Sequence, residues 1–118
     1  MKKLFESELR VMMPLWDFGP QTAGEIVKKM NQSYGWNKNT TYTIIKRLIE
    51  KGTIARSGAN FVCTPLISRK EVQKSEIENL ITRLFGGSKF QFISAFICED
   101  GLTNDEAIQL RDLIDSLK

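Results

Sequence analysis

The sequence contains no histidine, which removes the side chain most used as a general base, the Ser/His and Cys/His nucleophile pairs, and most zinc ligand sets. Cysteine is nearly as scarce. Cys63 and Cys98 stand far apart in apolar company, without a neighbouring thiol, and read as a buried, reduced pair in a cytoplasmic protein rather than as metal ligands, with a disulfide between them as the alternative. No run approaches the ~18 apolar residues that span a bilayer, and Glu6 interrupts the Leu4-Phe5 pair that follows the N-terminal Met-Lys-Lys, so neither a membrane helix nor a signal peptide is expected. The acidic residues are spread along helical faces with no clustered pair, which leaves a carboxylate enzyme without a site. No catalytic residue, cofactor or metal is expected.

What remains is an ordinary globular composition, 42% hydrophobic and 26% charged in 118 residues, enough for one domain with a short appendage. The net charge of +3 conceals an asymmetry. Residues 1–70 carry 12 Lys and Arg against 5 Asp and Glu, a charge of +7, whereas residues 71–118 carry 5 against 9, a charge of −4. A basic first part suits a polyanion and an acidic second part would be repelled by one, so the two are expected to divide the work.

Leu9, Met12, Met13 and Trp16 recur at helical spacing between Glu6 and Phe18, and Gly19-Pro20 ends that first helix. Pro14 inside it predicts a kink or a late start. Thr22 and Glu25 make a capping box for a second helix, with Ile26, Val27 and Met30 inward, running to about Asn31. Gln32 to Trp36 reads as a polar turn. Asn37 then caps a third helix through Lys51, with Thr41, Ile44, Ile45 and Leu48 inward and Gly52 closing it. Thr53–Arg56 and Asn60–Thr64 flank Ser-Gly-Ala as a hairpin. A helix from about Arg69 to Phe85 follows, carrying Ile77, Leu80, Ile81, Leu84 and Phe85. The next is apolar nearly all round from Phe90 to Ile97, and the last is capped by Thr103 and Glu106 and carries Ala107, Leu110, Leu113, Ile114 and Leu117.

The expected fold is therefore mainly α with a small β-hairpin: a winged helix-turn-helix domain over residues 1–67 followed by a three-helix dimerisation region over 68–118. Three short helices cannot bury so much apolar surface alone, and the residues expected to pair two copies are Leu80, Leu84, Phe92, Phe96, Leu110, Leu113, Ile114 and Leu117. In a winged helix the third helix enters the major groove of double-stranded DNA. Opposite its inward stripe lie Asn39, Thr43, Lys46 and Glu50, with Thr40, Tyr42 and Arg47 at the flanks. Asn39, Thr40 and Thr43 occupy the first turns, where base edges are read; Lys46, Arg47 and Arg56 of the wing suit phosphate. Thr22 caps its helix and leaves amides that could also hold a phosphate. The Tyr42 ring has two possible places, against the first helix or on sugar and phosphate. Trp16 and Trp36 read as core residues joining helices one and three.

Along nearly its whole length the chain resembles the BlaI/MecI/CopY family of bacterial penicillinase and copper-responsive repressors. The resemblance rests on Glu8-Leu9-Arg10-Val11-Met12 through Leu15-Trp16, Thr22-Ala23-Gly24-Glu25-Ile26-Val27, Trp36-Asn37, Thr40, Thr43, Lys46-Arg47-Leu48, Lys51-Gly52, Thr64-Pro65-Leu66, Leu84-Phe85-Gly86-Gly87 and the stretch from Leu102-Thr103 to Leu113. It implies a homodimer that represses by binding a palindromic operator through the third helix, paired by the last three helices. The family's β-lactam-responsive members are cleaved at an Asn-Phe bond where this chain has Ala95-Phe96, and its copper-responsive members end in a cysteine-rich motif where this chain ends Asp115-Ser116-Leu117-Lys118. Neither signal is expected from these residues, and the resemblance leaves the inducing signal open. Lys38-Asn39 also stands where relatives often have Pro-Lys. The alternative on fold alone is a winged-helix module that binds protein and reads no DNA sequence.

Overall fold

The computed structural model describes residues 2–118. Six helices and three short strands follow one another as α1 (Glu6–Phe18), β1 (Gln21–Thr22), α2 (Ala23–Tyr34), α3 (Lys38–Glu50), β2 (Ile54–Ser57), β3 (Val62–Pro65), α4 (Arg69–Phe85), α5 (Lys89–Asp100) and α6 (Asn104–Ser116). They form two compact units, one ending at Ser75 and the other running Glu76–Lys118, with the division inside α4. No described helix is long and apolar enough to cross a membrane.

In the first unit α1, α2 and α3 close around Val11, Met12, Leu15, Ile26, Met30, Ile45 and Leu48, and Ile54, Cys63 and Val72 complete the core. The stripe on α3 is the expected one, Thr41, Ile44, Ile45 and Leu48. The stripe on α1 is not. Its buried residues are Glu8, Val11, Met12 and Leu15, one position back from the expected set, so that Leu9 and Trp16 are half-buried and Met13 is exposed. The cause is Glu8: its carboxylate lies wholly inside because Lys51 and the chain's own backbone neutralise and bond it there, and an apolar pattern does not count an acid as inward.

Pro14 neither delays α1 nor breaks it, since the helix starts at Glu6 and runs on to Phe18. The Pro14 carbonyl accepts from Gln21 Nε2 at 2.9 Å, and Gln21 Oε1 accepts from Lys29 Nζ at 2.6 Å, so a buried glutamine ties α1 to α2. The second helix continues to Tyr34, beyond the expected end near Asn31, because Gly35 takes the left-handed conformation (φ 69°) and returns its N–H to the Asn31 carbonyl. The hairpin is joined by a third strand absent from the sequence reading. β1 pairs antiparallel with β3, Gln21 opposite Cys63 and Thr22 opposite Val62, giving the order β1-β3-β2. Thr53 does not begin a strand; its N–H and hydroxyl both donate to the Leu48 carbonyl, closing α3.

Trp16 and Trp36 are both half-buried against the core, as expected; Trp16 also donates its ring N–H to the Ile67 carbonyl at 2.9 Å, and the Trp36 ring lies beside Tyr34. Of the two cysteines Cys63 is buried, and burial pushes its thiol pKa up, whereas Cys98 is exposed, which corrects the expected buried pair.

In the second unit Ile81 is buried and the Phe85 and Phe92 rings meet edge to face, 5.6 Å apart. Phe92, Phe96, Leu102, Leu110 and Leu113 line an open apolar groove of about 470 Å³ between α5 and α6, and α6 buries none of its residues within the chain.

Candidate nucleic-acid interface

The third helix begins where the Asn37 carboxamide accepts the Thr40 N–H at 2.8 Å, so the cap leaves Asn39, Thr40 and Thr43 in the first two turns without a task in holding the helix end. All three are exposed, as is Lys46 one turn further on. Thr43 donates its hydroxyl to the Asn39 carbonyl at 2.9 Å, which fixes its rotamer and leaves its methyl and oxygen lone pairs outward. Asn39, Thr43 and Lys46 thus share one outward face, with Thr40 beside it.

The remaining expected site residues are placed differently. Arg47 turns along α1, its Nη2 3.3 Å from Ser7 Oγ and its Nε 3.7 Å from Glu8 Oε2, with 44% of the side chain still exposed. Glu8 Oε1 accepts from the Phe5 N–H at 2.7 Å and from Lys51 Nζ at 2.6 Å, while Oε2 is buried with no hydrogen-bond partner among the described residues and faces only Arg47. A buried acid therefore anchors the start of α1 to the second half of α3. The sequence placed Glu8 and Lys51 among the residues that carry the family resemblance but assigned neither a role. The available signal was spacing, since Glu8 completes the series with Val11, Met12 and Leu15.

Tyr42 is half-buried against the core, and its ring meets Phe61 of the hairpin edge to face at 5.9 Å. Arg56 is exposed on β2 and stacks on the other aromatic neighbour of that site, its guanidinium carbon 3.9 Å from the Phe61 ring centre. Thr22 caps α2 through a reciprocal box with Glu25, and the neighbouring Ala23 N–H is taken by the Phe61 carbonyl. Hydrogen bonds from the Thr22 N–H and then its hydroxyl hold the Glu25 carboxyl below its ordinary pKa, so the first turn of α2 already carries an anion.

A family model described as penicillinase repressor matches residues 4–116. The chain is 26% identical to the penicillinase repressor of Bacillus licheniformis over 98% of its own length and 92% of that protein's. It is 25% identical to the methicillin resistance regulatory protein MecI of Staphylococcus aureus over 95% and 93%. Among solved structures, the DNA-binding domain of the repressor BlaI superposes with a TM-score of 0.54 at 30% identity, covering 60% of this chain and 93% of that domain. The monomeric form of Bacillus licheniformis BlaI in complex with the blaP half-operator superposes with a TM-score of 0.52 at 29% identity, covering 59% and 88%.

Proposed function

Since the chain belongs to the penicillinase repressor family, we propose that it is a DNA-binding transcriptional repressor that seats α3 in the major groove of a palindromic operator as a homodimer. The observation that carries this reading is the outward face of α3: Asn39, Thr43 and Lys46, with Thr40, are exposed on a unit whose fold is that of the BlaI DNA-binding domain. Asn offers a donor and an acceptor that match the adenine edge, Thr a hydroxyl and a methyl, and Lys46 a phosphate contact one turn away. Positive charge concentrated in residues 1–70 supports the same assignment.

Dimerisation draws its support from the second unit, where Leu84, Phe96, Leu113, Ile114 and Leu117 are exposed and Leu80, Phe92 and Leu110 are only half-buried. So much apolar surface on so short a segment suits a second copy, and a symmetric pair would present two α3 helices to two half-sites.

The test is fluorescence anisotropy with duplex DNA taken from directly upstream of the chain's own coding sequence, against a scrambled duplex, over a salt series. Tighter binding to the upstream duplex and a steep loss with salt are expected. Equal, salt-independent signals would reject the repressor reading in favour of a protein-interaction module.

A further inference from the structure

Among the described residues Phe61 is the only non-glycine with a left-handed backbone, φ 54°. An L residue with a large side chain avoids that region, and a hairpin that needed only the turn would be better served by Gly or Asn. The ring therefore has to compensate, and its surroundings show how. One neighbour is the Tyr42 ring, 5.9 Å away and edge to face; another is the Arg56 guanidinium, 3.9 Å from the ring centre. Beyond Tyr42, at the first residue of α3, Lys38 Nζ lies 5.7 Å from the Tyr42 ring centre. The backbone is pinned as well: the Phe61 carbonyl accepts the Ala23 N–H at 2.9 Å, joining the hairpin to the start of α2.

Cation, aromatic, aromatic, cation thus follow in a line from the start of α3 to the wing. Lys38 and Arg56 are exposed and form no ion pair among the described residues, so both charges remain available. A stacked guanidinium keeps its N–H edge free, and a cation held against a ring has already given up much of the rotamer freedom that binding would otherwise cost.

We propose that Phe61 is a positioning residue that holds Lys38 and Arg56 as a pair of DNA phosphate contacts, one on the recognition helix and one on the wing. This rests on the DNA-binding reading above and adds to it two assignments, Lys38 as a phosphate contact and Phe61 as the residue that orders both cations. Because phosphate contacts are blind to sequence, the strip governs affinity and salt response and leaves base preference alone.

The experiment measures binding of the full chain to a fluorescein-labelled mixed-sequence duplex across a salt series, with circular dichroism melts of every variant. Phe61→Leu is expected to weaken binding roughly fivefold at low salt and to flatten the slope of log K against log salt by about one to two, the share of one or two phosphates. Phe61→Tyr keeps the ring and is expected to behave as wild type. The double variant Lys38→Gln, Arg56→Gln changes only exposed side chains and gives the same loss without endangering the fold. Adding Phe61→Leu to that double variant should lower affinity no further, because the residues through which Phe61 acts are already gone. An unchanged slope in Phe61→Leu, or a further loss on top of the double variant, overturns the proposal. Absence of binding by the wild-type chain instead rejects the DNA-binding reading, and the proposal falls with it.

Discussion

Glu8 is the residue at which apolar pattern and structure part company. A pattern reader assigns acids to water; this one is buried because Lys51 lies 2.6 Å away, 43 residues later in the chain. Removing the acid would leave the Lys51 ammonium, only 18% exposed, with the Lys3 carbonyl at 2.9 Å and the Phe5 ring but no counter-charge, so Glu8→Ala should lower the unfolding free energy by about 2–4 kcal/mol, straddling the lower end of what breaking a fully buried ion pair costs, as read from urea titration. A loss under about 0.5 kcal/mol would show that the pair is no stronger than a surface bridge. On the outer side of α3 the exposure of Asn39, Thr40, Thr43 and Lys46 was legible from the helical period, since the inward stripe of Thr41, Ile44, Ile45 and Leu48 fixes which side faces out. Thr43→Ala should cost about 1 kcal/mol of operator affinity and relax one base position, whereas Lys46→Gln should weaken all duplexes alike. A selection on randomised duplexes separates the two patterns. Cys63 and Cys98 differ in burial, which no local sequence feature announces. With Cys63 buried and its thiol pKa raised, it holds less thiolate at any given pH, and iodoacetamide applied to the folded protein should modify Cys98 alone by mass spectrometry.

At the scale of elements, caps and breakers located the helices well, because Thr22 with Glu25, Asn37, and Thr103 with Glu106 each act through residues three apart in the chain. What escaped was non-local. β1 has two residues, too few to show alternation, and exists only because β3 passes beside it. The end of α2 escaped for a different reason: Gly35 supplies the left-handed stop, and polar residues before it belong to an exposed last turn rather than to a loop. The α2 cap has a measurable consequence. Thr22→Ala should reduce stability by about 1 kcal/mol, the ordinary value of an N-cap hydroxyl. Its pH dependence has a definite sign. The Glu25 carboxyl is held below its ordinary pKa by Thr22, so its stabilising contribution is present above the ordinary carboxylate range and is lost as the pH falls through its lowered pKa. Thermal melts across the acid range should therefore show a shallower loss of stability in Thr22→Ala than in wild type. Parallel curves would mean that the hydroxyl caps the helix without acting on the acid.

For the molecule as a whole, the charge split and the apolar excess of residues 68–118 are what the proposed division of labour rests on, and both are sums that local errors in strand or helix ends do not disturb. The winged-helix order was legible; the rotation of α1 was not, since an acid occupies one position of its inward stripe. The same sums bear on the proposed pairing. A lone chain would leave Phe90, Phe96, Leu113 and Leu117 more than half exposed and the groove between α5 and α6 open to water. Covering a Leu or Phe side chain is worth about 1.5–3 kcal/mol each, so even a few of them offset the cost of bringing two chains together. Leu110 and Leu113 both line that groove. Replacing them together by Asp places two charges where a second copy would bury them, and on the proposed pairing light scattering should give a dimer mass for the wild type and a monomer mass for the double variant at the same concentration. Operator affinity should fall with it, because two half-sites held by one dimer are bound far more tightly than each alone. The first unit keeps its own core, so its folding and its weak binding to a single half-site should survive the change. An unaltered mass would place the interface elsewhere on the chain. A monomer that still bound the full operator as tightly as wild type would separate repression from pairing altogether.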